Sequence, residues 1–232
     1  FEAGRIKEIR HLQAENMPAE ETPDENTIDI LELAPEEIML FFGAEREQRR
    51  LVAIDKVPRH LIHAIMAAED SRFYEHFGVD PRGLLRAVYV NLKHKEIMQG
   101  GSTITQQVAK NYFLTPERTF TRKFRELLIA LTLEAMYAKD EIMEIYINEI
   151  YLGQNRSVSI NGFGEAADFY FGKPVSQLTI AESATMAGLI KGPNSYSPYR
   201  NPEQSRKRRD FVLNRMHLKQ WINDEELKTQ LA

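Results

Sequence analysis

The chain has 232 residues, of which 43% are hydrophobic and 28% are charged, and it contains no cysteine. This composition provides enough apolar residues for a globular core, and it excludes an intrinsically disordered chain and a collagen-like repeat. The lack of cysteine also excludes a disulfide scaffold and a thiolate metal site. The longest run without a charged residue, 97–109, is rich in Gly, Gln, Ser and Thr, so the sequence predicts no membrane-spanning segment.

The formal net charge of −4 is unevenly distributed along the chain. Residues 1–50 carry a net charge of −7 and residues 51–232 a net charge of +3. Within the second part, residues 86–139 hold nine Lys or Arg and four Glu. This local excess indicates either an anionic ligand or simply a solvated basic face.

The first 54 residues predict short strands and turns. An acidic, proline-containing loop separates two candidate strands, a proline at position 35 opens a short helix, and a last strand is expected at 50–54. Such a stretch is too small to fold alone. We interpret residues 1–54 as the C-terminal part of a small β-containing accessory module and its linker.

From residue 55 onwards the hydrophobic pattern becomes helical, which predicts one mostly helical domain over 55–232. The candidate helices, bounded by capping residues, Pro and Gly, are 58–74, 81–93, 103–113, 120–138, 139–152, 162–171, 179–190, 202–220 and 223–231.

The first of these helices carries a carboxylate on its apolar face. At 100° per residue, Glu69 falls within the stripe formed by Leu61, Ile65 and Phe73, whereas Asp70 falls at its edge. Burial raises the pKa of a carboxyl group and makes it a useful proton acceptor or donor. The alternative is that Glu69 pairs with an interior Arg or caps a neighbouring helix.

A second candidate carboxylate is Glu126, near the start of the helix predicted at 120–138. The later turns of this helix, 127–133, are apolar on every side, so we expect it to be buried with its polar first turns facing a cavity or the surface. Arg122 lies four residues earlier, and the two side chains could instead form an ordinary surface ion pair.

The most specific segment is 100–107, where two glycines lead into a helix start. Thr103 and Gln106 have the spacing of a capping box, and the free N–H groups of such a helix end can bind an anion. Lys110 follows within two turns, and Arg118 can add a bidentate phosphate contact. A well-capped helix alone is the alternative, but the two glycines favour a phosphate-bearing ligand. His76 has no second metal ligand at suitable spacing, so we expect it to make structural hydrogen bonds.

Several catalytic motifs are absent from the sequence. It has no G-x-S-x-G, no Walker loop, no G-x-G-x-x-G and no H-E-x-x-H. It also lacks S-x-x-K and K-T-G, so serine acyl transfer is not expected in this chain.

Five segments together, in this order, resemble the motifs of the peptidoglycan glycosyltransferases, glycosyltransferase family 51. They are EDSRFYEHFG at 69–78, GGSTITQQ at 100–107 followed by Lys110 and Asn111, RKFRE at 122–126, KDEIMEIYINEIYLG at 139–153, and AGL at 187–189. The match covers residues 55–220. The front of the chain resembles the end of the small domain that precedes this catalytic domain in class A penicillin-binding proteins of the 1B type, which the long 154–161 stretch also favours.

The resemblance implies a mainly α, lysozyme-like fold with two lobes, the smaller being a membrane-touching jaw at about 78–120. It also implies polymerisation of lipid II into β-1,4 glycan strands by inverting transfer, with release of undecaprenyl diphosphate. A lysozyme-like peptidoglycan hydrolase and an inactive cell-wall scaffold are the alternatives. The basic excess argues against the hydrolase, which has no diphosphate to hold, and the intact Glu69 and Glu126 argue against the scaffold.

By position in the motifs, the resemblance makes Glu69 the general base on the acceptor hydroxyl and Glu126 a second acidic residue that assists at the diphosphate or at a divalent cation. It assigns substrate contacts to Asp70, Ser102, Thr103, Gln106, Gln107, Lys110, Asn111, Arg118, Arg122, Lys123 and Arg125.

The resemblance also implies partners and a location. The expected partners are lipid II, the growing glycan strand, the membrane surface through the jaw, and cell-wall regulators through the N-terminal module, but no nucleic acid. Mg or Mn is the candidate cation, and no organic cofactor is expected. The expected location is the outer, periplasmic face of the bacterial cytoplasmic membrane, with an anchor upstream of this chain.

Overall fold

The computed structural model describes residues 47–48, 50–85, 101–115, 119–155 and 158–231, and the chain is mainly helical there, as the sequence predicts. The helices are α1 (Arg59–Ala68), α2 (Ile104–Phe113), α3 (Phe120–Met136), α4 (Lys139–Glu149), α5 (Phe163–Phe171), α6 (Ile180–Leu189), α7 (Pro202–Leu218) and α8 (Asp224–Leu231). The strands are β1 (Glu47–Gln48), β2 (Tyr151–Asn155) and β3 (Val158–Asn161). Residues 81–85 are also helical, and 3₁₀ turns cover Ile54–Lys56, Phe73–Glu75 and Val175–Gln177.

The helices are held together by one apolar core. Helix α1 packs against α6 and α7, whereas α2 packs against α3 and α4. Fully buried side chains at the centre include Leu61 and Ile65 of α1, Tyr146 of α4 and Phe163 of α5. Since α1 and α2 each bury one face, their ends are held firmly where the two helices approach each other.

The segment before α1 binds to the domain through side chains of α4. The side-chain amide of Asn148 accepts a hydrogen bond from Val52 N at 2.8 Å and donates one to Val52 O at 2.9 Å, and Glu144 accepts from Ile54 N at 2.7 Å. The strand predicted at 50–54 is therefore wrong. The backbone groups there pair with side chains instead of a neighbouring strand, and Ile54 begins a 3₁₀ turn.

A small sheet replaces the end of one predicted helix. The helix predicted at 139–152 ends at Glu149, and β2 pairs with β3 in antiparallel fashion while β1 pairs with β3 in parallel. Within the stretch 154–161, Gln154 and Asn155 end β2 and Val158–Asn161 form β3, the two strands of this hairpin. Gly153 adopts φ of +150°, and a Cβ there would lie 2.4 Å from Tyr170 Oη, so only glycine fits.

Two further predictions about helices are wrong. The helix predicted at 58–74 ends at Ala68, because Glu69 is the C-cap and a 3₁₀ turn at Phe73–Glu75 replaces the last turns. Helix α3 is not buried on all sides, since the structure buries only its face with Glu126, Ala130 and Leu133.

Some predicted features lie outside the described residues. They are the strands, loop and short helix before residue 47, the part of the helix 81–93 after residue 85, and the side chain of Arg118. The division of the chain at residue 54 and the extent of the jaw therefore stay predictions.

Candidate active site

Glu69 lies at the C-terminal end of α1, where the chain leaves the helix. Its backbone N–H still donates to Ile65 O at 2.9 Å, but its side chain is half-buried rather than fully enclosed. The helical projection therefore reversed the two neighbouring acids, since Asp70 is the buried one, with only 6% of its surface exposed. The projection failed because the helix stops before either residue. Glu69 lines a small cleft, whose lining also includes Gly101 and Ser102.

A hydrogen-bonded chain orients the Glu69 carboxylate. Gln107 Nε2 donates to Glu69 Oε2 at 2.9 Å, and Tyr146 Oη donates to Gln107 Oε1 at 3.3 Å. Burial, together with the negative charges of Glu69 and Asp70, raises the pKa of Tyr146 well above its ordinary value, so its hydroxyl remains a donor. Among the described residues, none donates a hydrogen bond to Glu69 Oε1, so this oxygen is open to a ligand.

Asp70 ties the end of α1 to the start of α2. Its Oδ2 accepts hydrogen bonds from His76 Nε2 at 2.9 Å and from Ile104 N at 3.2 Å. A carboxylate at a helix N-terminus is favoured by the helix dipole. The expectation that His76 makes structural hydrogen bonds is confirmed by its contact with Asp70.

The predicted capping box at the start of α2 is present, and it uses the groups that were expected to bind an anion. Thr103 Oγ1 accepts from Gln106 N at 3.2 Å, and Gln106 Oε1 accepts from Thr103 N at 3.1 Å. Together with the contact of Asp70 to Ile104 N, these bonds occupy the N–H groups of Thr103, Ile104 and Gln106. The geometry therefore gives Asp70, Thr103 and Gln106 a positioning role at this helix start, while the anion site and the substrate contacts predicted here stay predictions.

Glu126 on α3 is the second candidate carboxylate, and its surroundings differ sharply from those of Glu69. Its side chain is 2% exposed, and its two oxygens pair with Arg122 Nη1 at 2.8 Å and with Lys123 Nζ. Lys123 Nζ also donates to Ser102 Oγ at 2.9 Å, which joins α3 to the segment before α2. The ion pair considered from the spacing exists, but it is formed around a buried carboxylate.

Three more predicted residues lie on exposed helix faces. Lys110 and Asn111 follow Gln107 on α2 at spacings of three and four residues, so they share its side of the helix. Arg125 is exposed on α3 beside Glu126. Substrate contacts for these three, and for Ser102, Gln107, Arg122 and Lys123, stay predictions.

The described residues do not fit a resident divalent cation. They contain no group of three or more His, Asp or Glu side chains that could hold a metal ion. The carboxylate predicted to take part, Glu126, already has both oxygens paired with basic side chains. A hard cation prefers several oxygen ligands, so most of its ligands would have to come from the substrate.

Arg208 on α7 is a residue that the sequence patterns did not single out. It is 8% exposed, its guanidinium lies 4.8 Å from the Phe211 ring, and burial lowers its pKa while the negative charge of Glu69 acts in the opposite direction. It therefore adds positive potential near Glu69. The basic run 206–209 was the signal for it, but a charge run does not show which member points inward.

Cleft size alone does not locate this site. A larger cleft of about 670 Å³ lies between the segment 54–57, α1 and the turn before α8, and neither Glu69 nor Glu126 lines it. The chemical groups, rather than the volume, identify the candidate site. Glu69 has one oxygen bound by Gln107, and the cleft it lines includes Ser102, which accepts a hydrogen bond from a lysine that also holds the buried Glu126. Such a pairing is typical of an enzyme that transfers a group away from an anionic leaving group.

Comparison with known proteins agrees with this class. The family described as Transglycosylase matches residues 36–217. Penicillin-binding protein 1B of Haemophilus influenzae is 41% identical over 224 residues, which are 97% of this chain and 29% of that protein. Penicillin-binding protein 1A of Pseudomonas aeruginosa is 50% identical over 175 residues, which are 75% of this chain and 21% of that protein.

Among solved structures, penicillin-binding protein 1A from Haemophilus influenzae matches with a TM-score of 0.47 and 25% identity, over 80% of this chain and 18% of that one. Because the family match covers most of its length, the chain belongs to the transglycosylase family. The resemblance to peptidoglycan glycosyltransferases and the lysozyme-like helical fold that it implied are thereby confirmed. The chain spans less than a third of the length of these curated relatives.

Proposed function

We propose that this domain polymerises lipid II into β-1,4 glycan strands by inverting glycosyl transfer, with release of undecaprenyl diphosphate. The observation that carries the proposal is that a half-buried carboxylate and a residue bound by a basic side chain line the same cleft. Glu69 has one oriented oxygen and one open oxygen, and the cleft it lines also contains Ser102, which accepts a hydrogen bond from Lys123.

Glu69 acts as the general base in this proposal. Gln107 holds Oε2, so Oε1 is available to accept the proton of the acceptor sugar's 4-hydroxyl as that oxygen attacks the donor's anomeric carbon. The bond from the anomeric carbon to the diphosphate breaks as the new bond forms. A single displacement of this kind inverts the configuration, so an α-linked donor gives a β-linked product.

The departing diphosphate is stabilised by basic side chains. Lys110, Lys123 and Arg125 are exposed on α2 and α3, and Arg122 is fixed by Glu126. Positive groups that are held in place before reaction stabilise the charge that develops on the leaving group, which then needs no proton. Arg118 is predicted to join them. A divalent cation also stays a prediction, with the substrate's diphosphate supplying most of its ligands, and no step here depends on it.

The hydrolase alternative fits the geometry less well. A glycosidase needs two working carboxyl groups, an acid and either a base or a nucleophile. Here Glu126 is buried with both oxygens paired to basic side chains, and Asp70 is buried and bound through Oδ2 to His76 and Ile104, so Glu69 is the one of these three carboxylates that is not buried.

The direct test replaces Glu69 by Gln, which keeps the shape of the side chain and removes its basicity. We expect polymerisation of lipid II to fall about 10³-fold, as for loss of a general base, while lipid II still binds. The matched control is Glu203→Gln at an exposed position on α7. Wild-type rates in Glu69→Gln would remove Glu69 from the mechanism, and cleavage of added peptidoglycan by the wild type would favour the hydrolase.

The membrane surface is a proposed partner because large apolar side chains are exposed on the elements that carry residues of the site. We call this set of side chains the apolar patch, and its members are Leu84, Leu85, Phe113, Phe120, Phe124 and Leu128, with Phe120 97% exposed. Large exposed apolar patches mark interaction sites, and aromatic and aliphatic side chains next to basic ones suit a lipid interface. No helix of the described residues is long and apolar enough to cross a bilayer.

Flotation with liposomes that contain anionic lipid tests this partner. We expect the chain to float with the vesicles and the double variant Phe120→Ser/Phe124→Ser to remain at the bottom of the gradient. The control, Leu218→Ser, removes an exposed apolar side chain at the end of α7. Equal flotation of both variants would contradict the assignment. Action at the periplasmic face of the cytoplasmic membrane fits this patch, whereas regulators bound through residues 1–54 stay a prediction.

A further inference from the structure

A second cleft, separate from the one that Glu69 lines, lies between the hairpin, α5 and the loop that precedes α7. Its volume is about 110 Å³, and it is lined by Gly153, Gln154, Phe169, Tyr170, Pro193, Asn194, Ser197, Tyr199 and Arg200. None of the residues assigned to catalysis or to the leaving group belongs to it. We call it the aromatic cleft.

One side of the aromatic cleft is an aromatic platform formed by Phe169, Tyr170 and Tyr199. The ring of Tyr199 stacks on that of Tyr170 with centroids 5.7 Å apart and an interplanar angle of 27°, and it meets Phe169 edge-on at 5.6 Å. The Tyr199 hydroxyl donates to the backbone oxygens of Phe169 and Tyr170 at 3.2 and 3.3 Å. Tyr199 is nevertheless 64% exposed, so a well-oriented ring presents a free surface to solvent.

The buried Tyr170 fixes the position of the platform. Tyr170 is 8% exposed and its hydroxyl donates to Leu152 O at 3.0 Å. Because Gly153 has no side chain, the strand approaches that hydroxyl more closely than any other residue would permit. The stacked rings therefore cannot shift far without disturbing β2. A rigid ring loses little entropy when a ligand packs on it.

Planar polar groups surround the platform. Arg200 Nη1 donates to Asn194 Oδ1 at 3.3 Å, and Asn201 Nδ2 donates to Asn194 O at 3.1 Å, so the loop is held by its own side chains. The side-chain amide of Gln154 is exposed at the hairpin end of the cleft and has no hydrogen bond to the described residues. The groups that remain at the mouth are amide and guanidinium donors and amide acceptors.

We propose that the aromatic cleft is a saccharide subsite, which binds one N-acetylated sugar ring of the glycan strand outside the catalytic cleft. The choice of a glycan as ligand rests on the proposed function. A sugar ring has an apolar face of C–H groups that packs on an aromatic ring, and a rim of hydroxyl and acetamido groups that pair with amide and guanidinium side chains.

Other ligand classes match the aromatic cleft less well. A phosphate group calls for several cations, and Arg200 is the one basic residue in the lining. A lipid chain calls for a continuous apolar wall, whereas this lining alternates aromatic rings with Gln154, Asn194, Ser197 and Arg200. The volume suits one ring rather than an extended peptide.

The test titrates the 232-residue chain with chitotetraose, the β-1,4-linked tetramer of N-acetylglucosamine, by calorimetry and by saturation-transfer NMR. We expect the wild type to bind it, Tyr199→Phe to bind within about threefold because the ring remains, and Tyr199→Ala to bind about tenfold more weakly. Tyr137→Ala, which removes another exposed tyrosine, should bind as the wild type does. Because Tyr199 is largely exposed, its truncation leaves the core intact, which circular dichroism checks.

Each result decides between the subsite and its absence. Equal affinity in the wild type and Tyr199→Ala, or no binding of chitotetraose at millimolar concentration, overturns the subsite even if lipid II is polymerised. Tyr199-dependent binding in a chain that does not polymerise lipid II leaves the subsite standing and overturns the proposed function. Tyr199→Ala should also shorten the strands formed from lipid II, and strands of wild-type length with weakened chitotetraose binding would overturn the strand as ligand.

Discussion

The two ends of the candidate active site use the same residue type in opposite ways. At the base end, Glu69 is half-buried and is held by a neutral amide, Gln107, which touches one oxygen. At the cation end, Glu126 is almost fully buried and both its oxygens pair with Arg122 and Lys123. The two carboxylates thus differ in whether an oxygen is left for substrate.

We infer from this difference that the hydrogen-bonding partners of each carboxylate decide its role in the site. A neutral hydrogen-bond donor orients an acid without neutralising its charge, so it remains available as a base. When two cations pair with one buried acid, they compensate its negative charge and occupy its oxygens. The acid then holds the cations in place. Ser102 connects the ends, because it accepts from Lys123 and lines the same cleft as Glu69.

The largest effect on stability is expected from breaking the cation end. Replacing Glu126 by Ala leaves Arg122 and Lys123 close together without their acid, and loss of one member of a buried ion pair costs about 3 kcal/mol. Denaturant unfolding measures this change in the free energy of unfolding. Polymerisation should also fall, because the two cations are no longer held at the leaving group.

A second variant separates charge from packing at this position. Glu126→Gln keeps the side-chain volume and one acceptor oxygen, so its free energy of unfolding should lie between those of Glu126→Ala and the wild type. If Glu126→Gln retained full activity, the carboxylate would not be required to position the cations. The role that we assign to the cation end would then be contradicted.

A smaller loss of stability is expected at Asp70, which links the end of α1 to the start of α2. Asp70→Asn removes the charge that pairs with His76 and caps α2, and charge-assisted hydrogen bonds of this kind contribute about 2 kcal/mol. The matched control is Asp224→Asn, since Asp224 also contacts a histidine, His217, but at an exposed position. That control should lose less than about 1 kcal/mol.

The outcome of this comparison tests the positioning role given to Asp70. If Asp70→Asn is no less stable than Asp224→Asn, Asp70 does not hold the two helices. If its stability is unchanged but its KM for lipid II rises strongly, the direct substrate contact predicted from the sequence is restored.

The sequence predicted several helices better than the long-range contacts that surround them. The hydrophobic period located α2, α5 and α6 to within a residue at each end, because Thr103 and Thr179 cap helices whose buried stripes are regular. The order of the motifs identified the family. In both cases the signal lies in residues that are close in sequence.

What the sequence could not show depends on contacts between distant residues. The end of α1 at Ala68 follows from Asp70 binding Ile104, which lies 34 residues further on. The end of α4 follows from β2 pairing with β3, and the residues of the helix itself carry no stop signal before Ile150. Likewise, the spacing of Arg122 and Glu126 predicts a pair but not its burial.

The smallest effect on stability is expected at the base end, where Tyr146 donates a hydrogen bond to Gln107. Tyr146→Phe removes one hydroxyl that donates to Gln107 Oε1, and loss of a single neutral hydrogen bond costs about 1 kcal/mol of stability. Gln107 can then rotate and leave Glu69 less well oriented, so kcat should fall about tenfold while KM changes little. Tyr74→Phe is the control, because it removes a hydroxyl bound to Asp140, outside the cleft that Glu69 lines, and should leave kcat unchanged. If both variants kept wild-type kcat, Glu69 would be oriented without the Gln107–Tyr146 chain, and the base end would differ from the cation end only in lacking cations.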